Sequence, residues 1–238
     1  MNNRPLLVAI VVLAGCATPA APAPVPEPFT PARFAESFAV DPADWSSTGR
    51  NPYFILEPGY ELVLEGKEHG EPVRLVITVL DETKVVDGVE TRVVVEHESE
   101  DGEPAEISRN YFAISRRDNS VYYFGEEVDE YEDGKVASHG GAWLSGVNGA
   151  RFGLMMPGTP VVGSRYYQEI APGVAMDRAE VLSVTETFET PAGTFTNCLK
   201  TSESSAVEKG SETKVYAPGV GLLRDGALRL VRHGPRAK

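Results

Sequence analysis

The sequence predicts a mainly β protein built from antiparallel sheet, and two features of its 238 residues carry that expectation. Asp-Gly pairs recur at Asp87, Asp101, Asp133 and Asp225, and Pro-Gly pairs at Pro58, Pro157, Pro172 and Pro218. Asp-Gly tolerates the positive φ angles of tight hairpin turns and Pro-Gly suits type II turns, so both punctuate antiparallel strands. Between these turns the period is two: Val73, Leu75, Ile77 and Val79 alternate with Arg74, Val76, Thr78 and Leu80. No long helical pattern competes.

The chain opens on a targeting segment. Arg4 supplies positive charge, and residues 6–14 are an unbroken apolar run too short to span about 30 Å of hydrocarbon as a helix. Residues 1–15 therefore read as a signal peptide. The tetrad Leu13-Ala14-Gly15-Cys16 that closes it resembles the lipobox of bacterial lipoproteins. The resemblance implies cleavage before Cys16, diacylation of its thiol and acylation of the new amine; more than one acyl chain gives stable anchoring. Ala17, rather than Asp, follows the cysteine. In such proteins that favours the outer membrane, so the expected address is exported, lipid-anchored and facing the periplasm. Residues 16–28 form an Ala/Pro-rich tether that cannot pack a core. In polyproline II it reaches roughly 35 to 40 Å at about 3.1 Å per residue.

Residues 29–238 are expected to form a single β-rich domain. Thr30 before Pro31 is a helix N-cap, and Phe34 and Phe38 share a face at i, i+4, which predicts a short N-terminal helix. Asp41-Pro42 predicts a second turn ending near Trp45. Strands are expected at 60–67, 73–80, 89–98, 107–116, 120–126, 165–170, 179–189, 194–201, 212–217 and 222–232. A shift of 104 residues lays Gly59 on Gly163, Glu65 on Glu169, Glu82-Thr83 on Glu186-Thr187 and Phe112-Ala113 on Tyr216-Ala217. Two similar halves, at about 59–125 and 163–232, would make either a sandwich or one strongly bent sheet, a half-barrel.

Composition narrows the function. The net charge of −13 disfavours a grip on phosphate backbones, which needs clustered Lys and Arg, so no nucleic-acid partner is expected. Of the two cysteines, Cys16 is at the processing site, which leaves Cys198 without an intramolecular partner and most simply a buried thiol. His69, His97, His139 and His233 lack chelating spacing, so no metal motif and no cofactor motif is present. His139-Gly140-Gly141 resembles an oxyanion-hole segment, but no serine sits in a Gly-x-Ser-x-Gly elbow, and no catalytic residue is assigned.

Between 96 and 133 there are 13 acidic and 3 basic residues, including Glu126, Glu127, Asp129, Glu130, Glu132 and Asp133. The simplest reading is a solvated strand edge; Ca²⁺ binding and a carboxylate pair for hydrolysis are alternatives. Arg224, Arg229, Arg232, Arg236 and Lys238 make the end of the chain basic, fit to pair in cis with the acidic stretch or to touch anionic envelope polymers. The runs Tyr111-Phe112, Tyr122-Tyr123-Phe124 and Tyr166-Tyr167 put rings on both faces of strands, so one face packs the core and the other meets a cover or a ligand.

Several segments carry a wider likeness: Asn51-Pro52-Tyr53-Phe54 with Glu57-Pro58-Gly59, the stretch 118–125, Met156-Pro157 with Val162-Gly163, Gly193-Thr194-Phe195 with Asn197-Cys198-Leu199, and Tyr216-Ala217-Pro218-Gly219-Val220-Gly221. Together they resemble a family of exported bacterial β-rich proteins with no assigned activity. Those motifs are turn and strand-end signatures that point at no active site, and the reading of the whole chain is a non-enzymatic envelope module that binds or scaffolds, with a lipid or other apolar ligand, or an envelope protein, as partner besides the membrane itself. A carboxylate-dependent hydrolase and a Ca²⁺-stabilised adhesion module are the rival readings.

Overall fold

The computed structural model describes residues 33–207 and 209–236. Cys16, the signal peptide and the tether lie outside the described residues. The first strands are short: β1 (Trp45–Ser46), β2 (Gly49–Asn51) and β3 (Phe54–Leu56). A meander follows, made of β4 (Tyr60–Glu68), β5 (Glu71–Val86), β6 (Val89–Glu100), β7 (Glu103–Ser115) and β8 (Val121–Glu132). Next come β9 (Lys135–Ser138), β10 (Trp143–Leu144), β11 (Arg151–Met156), β12 (Arg165–Tyr167) and β13 (Glu169–Ile170). The second meander is β14 (Asp177–Thr190), β15 (Gly193–Ser205), β16 (Glu212–Ala217), β17 (Gly221–Asp225) and β18 (Leu228–Pro235).

Among the described residues one sheet runs β12-β14-β15-β16-β17-β18-β4-β5-β6-β7-β8-β11-β13, and every strand pair in it is antiparallel. Asp-Gly pairs turn its hairpins as the sequence predicts. Asp87-Gly88, Asp101-Gly102 and Asp133-Gly134 all have positive φ, the geometry of type I′ turns. The 104-residue offset carries Val86, the end of β5, onto Thr190, the end of β14, and Val89 onto Gly193, the starts of β6 and β15.

The two ends of the path meet, so the sheet bends into a nearly closed barrel. β12 pairs with β14 while β13, one residue further on, pairs with β11, so Gln168 stitches one end of the sheet to the other. The crossing is close enough to require glycine: a Cβ on Gly153 would lie 2.4 Å from the Gln168 carbonyl. The sandwich alternative is thereby replaced by the bent sheet.

The expected N-terminal helix is not formed over 33–40. Ala35 instead lies beside β12, donating to Arg165 O and accepting from Tyr167 N, each at 2.9 Å. The physical reason is that an edge strand offers unpaired backbone groups, and satisfying them outweighs a weak local helix preference. Phe34 and Phe38 still dock, but on different rings, Tyr167 at 6.0 Å and Tyr122 at 5.8 Å. The second predicted turn is present as a 3₁₀ turn over Pro42–Asp44, capped by Asp41 Oδ1 accepting from Ala43 N at 2.9 Å.

Alternation gives the sheet two apolar faces, as the paired aromatics require. Inside the barrel sit Leu64, Val94, Phe112, Tyr123, Leu199 and Tyr216. Outside β6–β8, Val93, Tyr111, Tyr122 and Phe124 are covered by Phe38, Val40, Trp45 and Phe152. The cover is the chain's own N-terminal segment and the β10–β11 region.

Candidate functional site

The barrel interior is stopped at one end by the β2–β3 hairpin. Asn51, fully buried, turns this hairpin by accepting from Tyr53 N (2.7 Å), and its amide donates to Asn119 O (2.8 Å) and Pro157 O (3.0 Å). Pro52 O accepts from Gly219 N at 2.7 Å, and the Tyr53 hydroxyl donates to Asn197 O at 3.2 Å. The plug is thus tied to both meanders. Above it lies a cavity of about 70 Å³ whose walls are Phe54, Ile77, Val79, Val94, Met155 and Leu222, with Glu96, Lys214 and Asp225 at its far side.

Lys214 also lines two polar pockets of about 380 and 220 Å³, both bordered by Glu212. The gradient from apolar to acidic follows from the register of inward residues. Val79 faces Val94, Ile77 faces Glu96 and Leu75 faces Glu98 across β5–β6, while Asn110 faces Glu126 and Glu106 faces Glu130 across β7–β8. On the opposite wall Tyr166, Ala179, Glu203 and Glu212 form one cross-strand row, and Thr201 faces Lys214.

Glu126 reaches this interior through a bulge. Simple alternation from inward Tyr123 would send Glu126 outward, but the β7–β8 register slips between Tyr111 and Phe112, setting Asn110 opposite Glu126. Gly125 sits at the slip with φ of 144°, where a Cβ would come within 2.5 Å of Trp143 O. A glycine inside a strand is the sequence signal that marks such a site.

Lys214 is the cation that pairs with these acids among the described residues. Lys214 Nζ lies 3.6 Å from Glu203, 3.4 Å from Glu212 and 3.3 Å from Asp225. Burial alone would pull its ammonium toward neutrality, but Glu203 and Asp225 outweigh that and hold it charged. Glu203 is further held by the Tyr216 hydroxyl at 3.1 Å and Thr201 at 3.0 Å. Glu96, Glu98, Glu126 and Glu169 have no Lys or Arg within 4 Å among the described residues.

The protonation of these carboxyls follows from that isolation. Burial raises Glu96 to about 7, against the pull of Lys214, with Asp225, Glu126 and Glu106 adding to it. Burial likewise raises Glu126 to about 7, opposed by the Tyr123 phenol, and Glu98 to about 6. Glu169 is pushed well above the carboxylate range by burial and then by Asp177, although it accepts Asp177 N at 2.7 Å. The Trp143 indole, on the residue opposite Glu126, also eases that carboxyl downward by hydrogen bonding, and the buried Tyr166 hydroxyl, which feels the charge of Glu203, has no hydrogen-bond partner among the described residues.

The acidic stretch 96–133 is therefore divided rather than a uniformly solvated edge. Glu96, Glu98, Glu106 and Glu126 look inward, whereas Glu127 pairs outside with Lys84. Among the described residues no group of three or more His, Cys, Asp and Glu has a geometry that could hold a metal ion. His139 stands at the rim, 2.9 Å from Asp129 and from Val128 O. The basic end of the chain pairs in cis, but with Glu61 rather than the acidic stretch: Arg232 contacts it, and Arg236 lies at 3.7 Å. Cys198 is fully buried, and burial raises its thiol.

No protein-family model matches the chain, and no curated protein is similar to it. It is similar to a candidate lipoprotein from Parabacteroides distasonis of known crystal structure, with a TM-score of 0.34 and 14% identity over 75% of this chain and 96% of that one.

Proposed function

We propose that this chain is a lipid-anchored envelope protein, held by acylated Cys16 at the periplasmic face of the outer membrane, whose barrel interior is a non-enzymatic seat for a small ligand. The tetrad Leu13-Ala14-Gly15-Cys16 supports the anchor. The observation that carries the seat is the cavity's lining, apolar walls that also hold Glu96, Lys214 and Asp225, with Glu96 raised by desolvation and without a Lys or Arg within 4 Å among the described residues. Buried polar groups left unsatisfied in a fold this regular are retained for what they meet.

The inner cavity of about 70 Å³ is small beside the roughly 300 to 1,000 Å³ of ordinary ligand pockets. A wholly apolar occupant such as an acyl chain therefore fits the seat less well than a small amphipathic one that also meets Glu96, Lys214 and Asp225 in its lining. Intact protein extracted from its own envelope and analysed by native mass spectrometry is expected to carry a bound small molecule. Val94→Trp, which fills the apolar end, should lose it. A wild-type mass equal to polypeptide plus acyl chains alone contradicts the seat. Fractionation tests the anchor separately: Cys16→Ser should leave the membrane fraction, and full retention contradicts it.

One observation favours a second reading. Carboxyls held near pH 7, as Glu96 and Glu126 are, suit a general acid, the role a carboxylate-dependent hydrolase would need. Turnover of an envelope polymer abolished by both Glu96→Gln and Glu126→Gln would establish it in place of the binding module.

A further inference from the structure

The turns at the two ends of the barrel carry opposite charge. Asn119 O accepts the Asn51 amide, so the β7–β8 turn belongs to the plugged end, and the β6–β7 and β8–β9 turns lie at the far end of the same strands. Asp101 N donates to Pro72 O at 2.9 Å, which puts the β4–β5 turn at the far end too. Those far turns expose Glu71, Glu100, Asp101, Glu103, Glu132 and Asp133 against Lys67 and Lys135. At the plugged end the β7–β8 turn exposes Arg116 and Arg117 against Asp118, and exposed Arg236 donates its backbone N–H to Gly59 O at 2.7 Å.

The plugged end also exposes apolar side chains in a turn that does not need them. The 157–164 loop starts there, since Pro157 O accepts the same Asn51 amide at 3.0 Å. Val161 and Val162 are 63% and 57% exposed; Leu182, which follows the Val181 carbonyl that accepts Gly163 N, is 41% exposed. The 104-residue offset lays this turn on Glu57-Pro58-Gly59, and the geometry is the same. Gly163 and Gly59 have φ of 85° and 84°, and Ser164 N and Tyr60 N close back on Val161 O and Glu57 O at 3.0 and 3.1 Å. Glu-Pro makes the turn as well as Val-Val does, so folding does not account for the two valines. The chain enters the domain at the same place. Ala35 pairs parallel with Tyr166, so the residues before Ala35 lie toward those before β12, and exposed Arg33 heads for this turn. Arg33 stands 17 residues after Cys16.

Exposed aliphatic side chains flanked by arginines, opposite an acidic pole, suit a surface that rests on anionic lipid. The valines enter the interface, the arginines meet headgroup phosphates, and the acids of the far turns are repelled. We propose that the plugged end of the barrel lies on the anionic bilayer that holds the anchor, with Val161 and Val162 in its interface. The acidic end, with the pocket bordered by Glu68, Glu98 and Glu212, then opens away from the lipid. This rests on the reading of Cys16 as the acylated anchor.

The test uses the full acylated protein in vesicles of phosphatidylethanolamine and phosphatidylglycerol. On the anchor reading the Cys16 sulfur is blocked as a thioether, and Cys198 is fully buried. Val162→Cys and, at the far β8–β9 turn, Val136→Cys therefore each offer one thiol for a fluorescent label, and a thermal melt checks that each variant is folded. Lipid bearing a nitroxide in its chain should quench the label at position 162 by roughly half and leave the label at 136 unchanged. Exchanging phosphatidylglycerol for phosphatidylcholine should weaken the quenching about twofold, and adding Val161→Asp should abolish it. Equal quenching at both positions, stronger quenching at 136, or quenching that survives Val161→Asp overturns the orientation while the anchor stands. Quenching at neither position, in protein that floats with the vesicles, overturns it as well; shielding of position 162 from iodide in whole envelopes would then assign the valines to a protein partner. Protein that does not float with the vesicles overturns the anchor and the orientation together.

Discussion

The two faces of β6–β8 are made by alternate residues of the same strands, yet they are finished differently. Outside, Trp45 sits edge-on to Tyr122, Phe124 and Phe152 at 5.2 to 5.8 Å, and Phe124 stacks on Phe152 at 4.8 Å, a face closed entirely by the chain's own residues. Inside, the stacked pair Phe112 and Tyr123 gives way within one or two rows to Asn110, Ser108, Glu96 and Glu126. The outer face serves stability. The inner face gives up stability that apolar residues would supply, and that sacrifice is the argument for function.

The difference can be broken at its strongest point first. Phe124→Ala removes a fully buried ring from the outer face and should cost about 3 to 5 kcal/mol in chemical denaturation. A loss below 1 kcal/mol would mean that the outer face is not the load that the packing implies.

The inner face should behave in the opposite sense. Glu96→Gln and Glu126→Gln, each removing a part-buried, desolvated carboxyl with no ion-pair partner among the described residues, should raise stability at pH 8 by on the order of 1 kcal/mol and change it little at pH 5. The sign follows from linkage. A carboxyl raised from its unfolded value of 4.5 to about 7 binds a proton in the folded state that the unfolded chain has released. Stability is therefore fully present below about 4.5 and declines as pH rises through 7. Wild type should melt higher at pH 5 than at pH 8, and the double variant should flatten that slope. The groups facing these two acids, Lys214, Asp225, Glu106, Asp177 and Tyr123, share the field. The carboxyls that are lowered, Glu57, Glu127 and Asp118, lose their contribution only at more acidic pH, outside this window.

The smallest effect lies on the surface. Arg50 and Glu57 pair at 2.6 Å, but both are substantially exposed, so Glu57→Ala should cost no more than about 1 kcal/mol and less in high salt. A larger, salt-insensitive loss would show that the β2–β3 plug depends on this pair rather than on Asn51.

Much of the fold is legible in the sequence because turns and period two are local. Asp87-Gly88 and Asp101-Gly102 mark their hairpins, and the paired aromatics announce two buried faces before any pairing is known. The short N-terminal helix misleads for the converse reason: the partner that draws residues 33–40 out of helix is Tyr166, far along the chain. The candidate site is less legible still. Whether Glu126 points in or out depends on a one-residue slip at Gly125, and the conjunction of Glu126, Glu169 and Glu203 exists only because the sheet closes at Gln168. Composition shows that acids are abundant between 96 and 133; it cannot show which ones share an interior.

The most direct test is a carbon-13 titration of the Glu96 and Glu126 side-chain carboxyls in the ligand-free protein, assigned through the two Gln variants. Midpoints near 7 are expected for both. Midpoints near the ordinary carboxylate value would place these groups in open solvent and contradict the claim that the inner face desolvates its carboxyls.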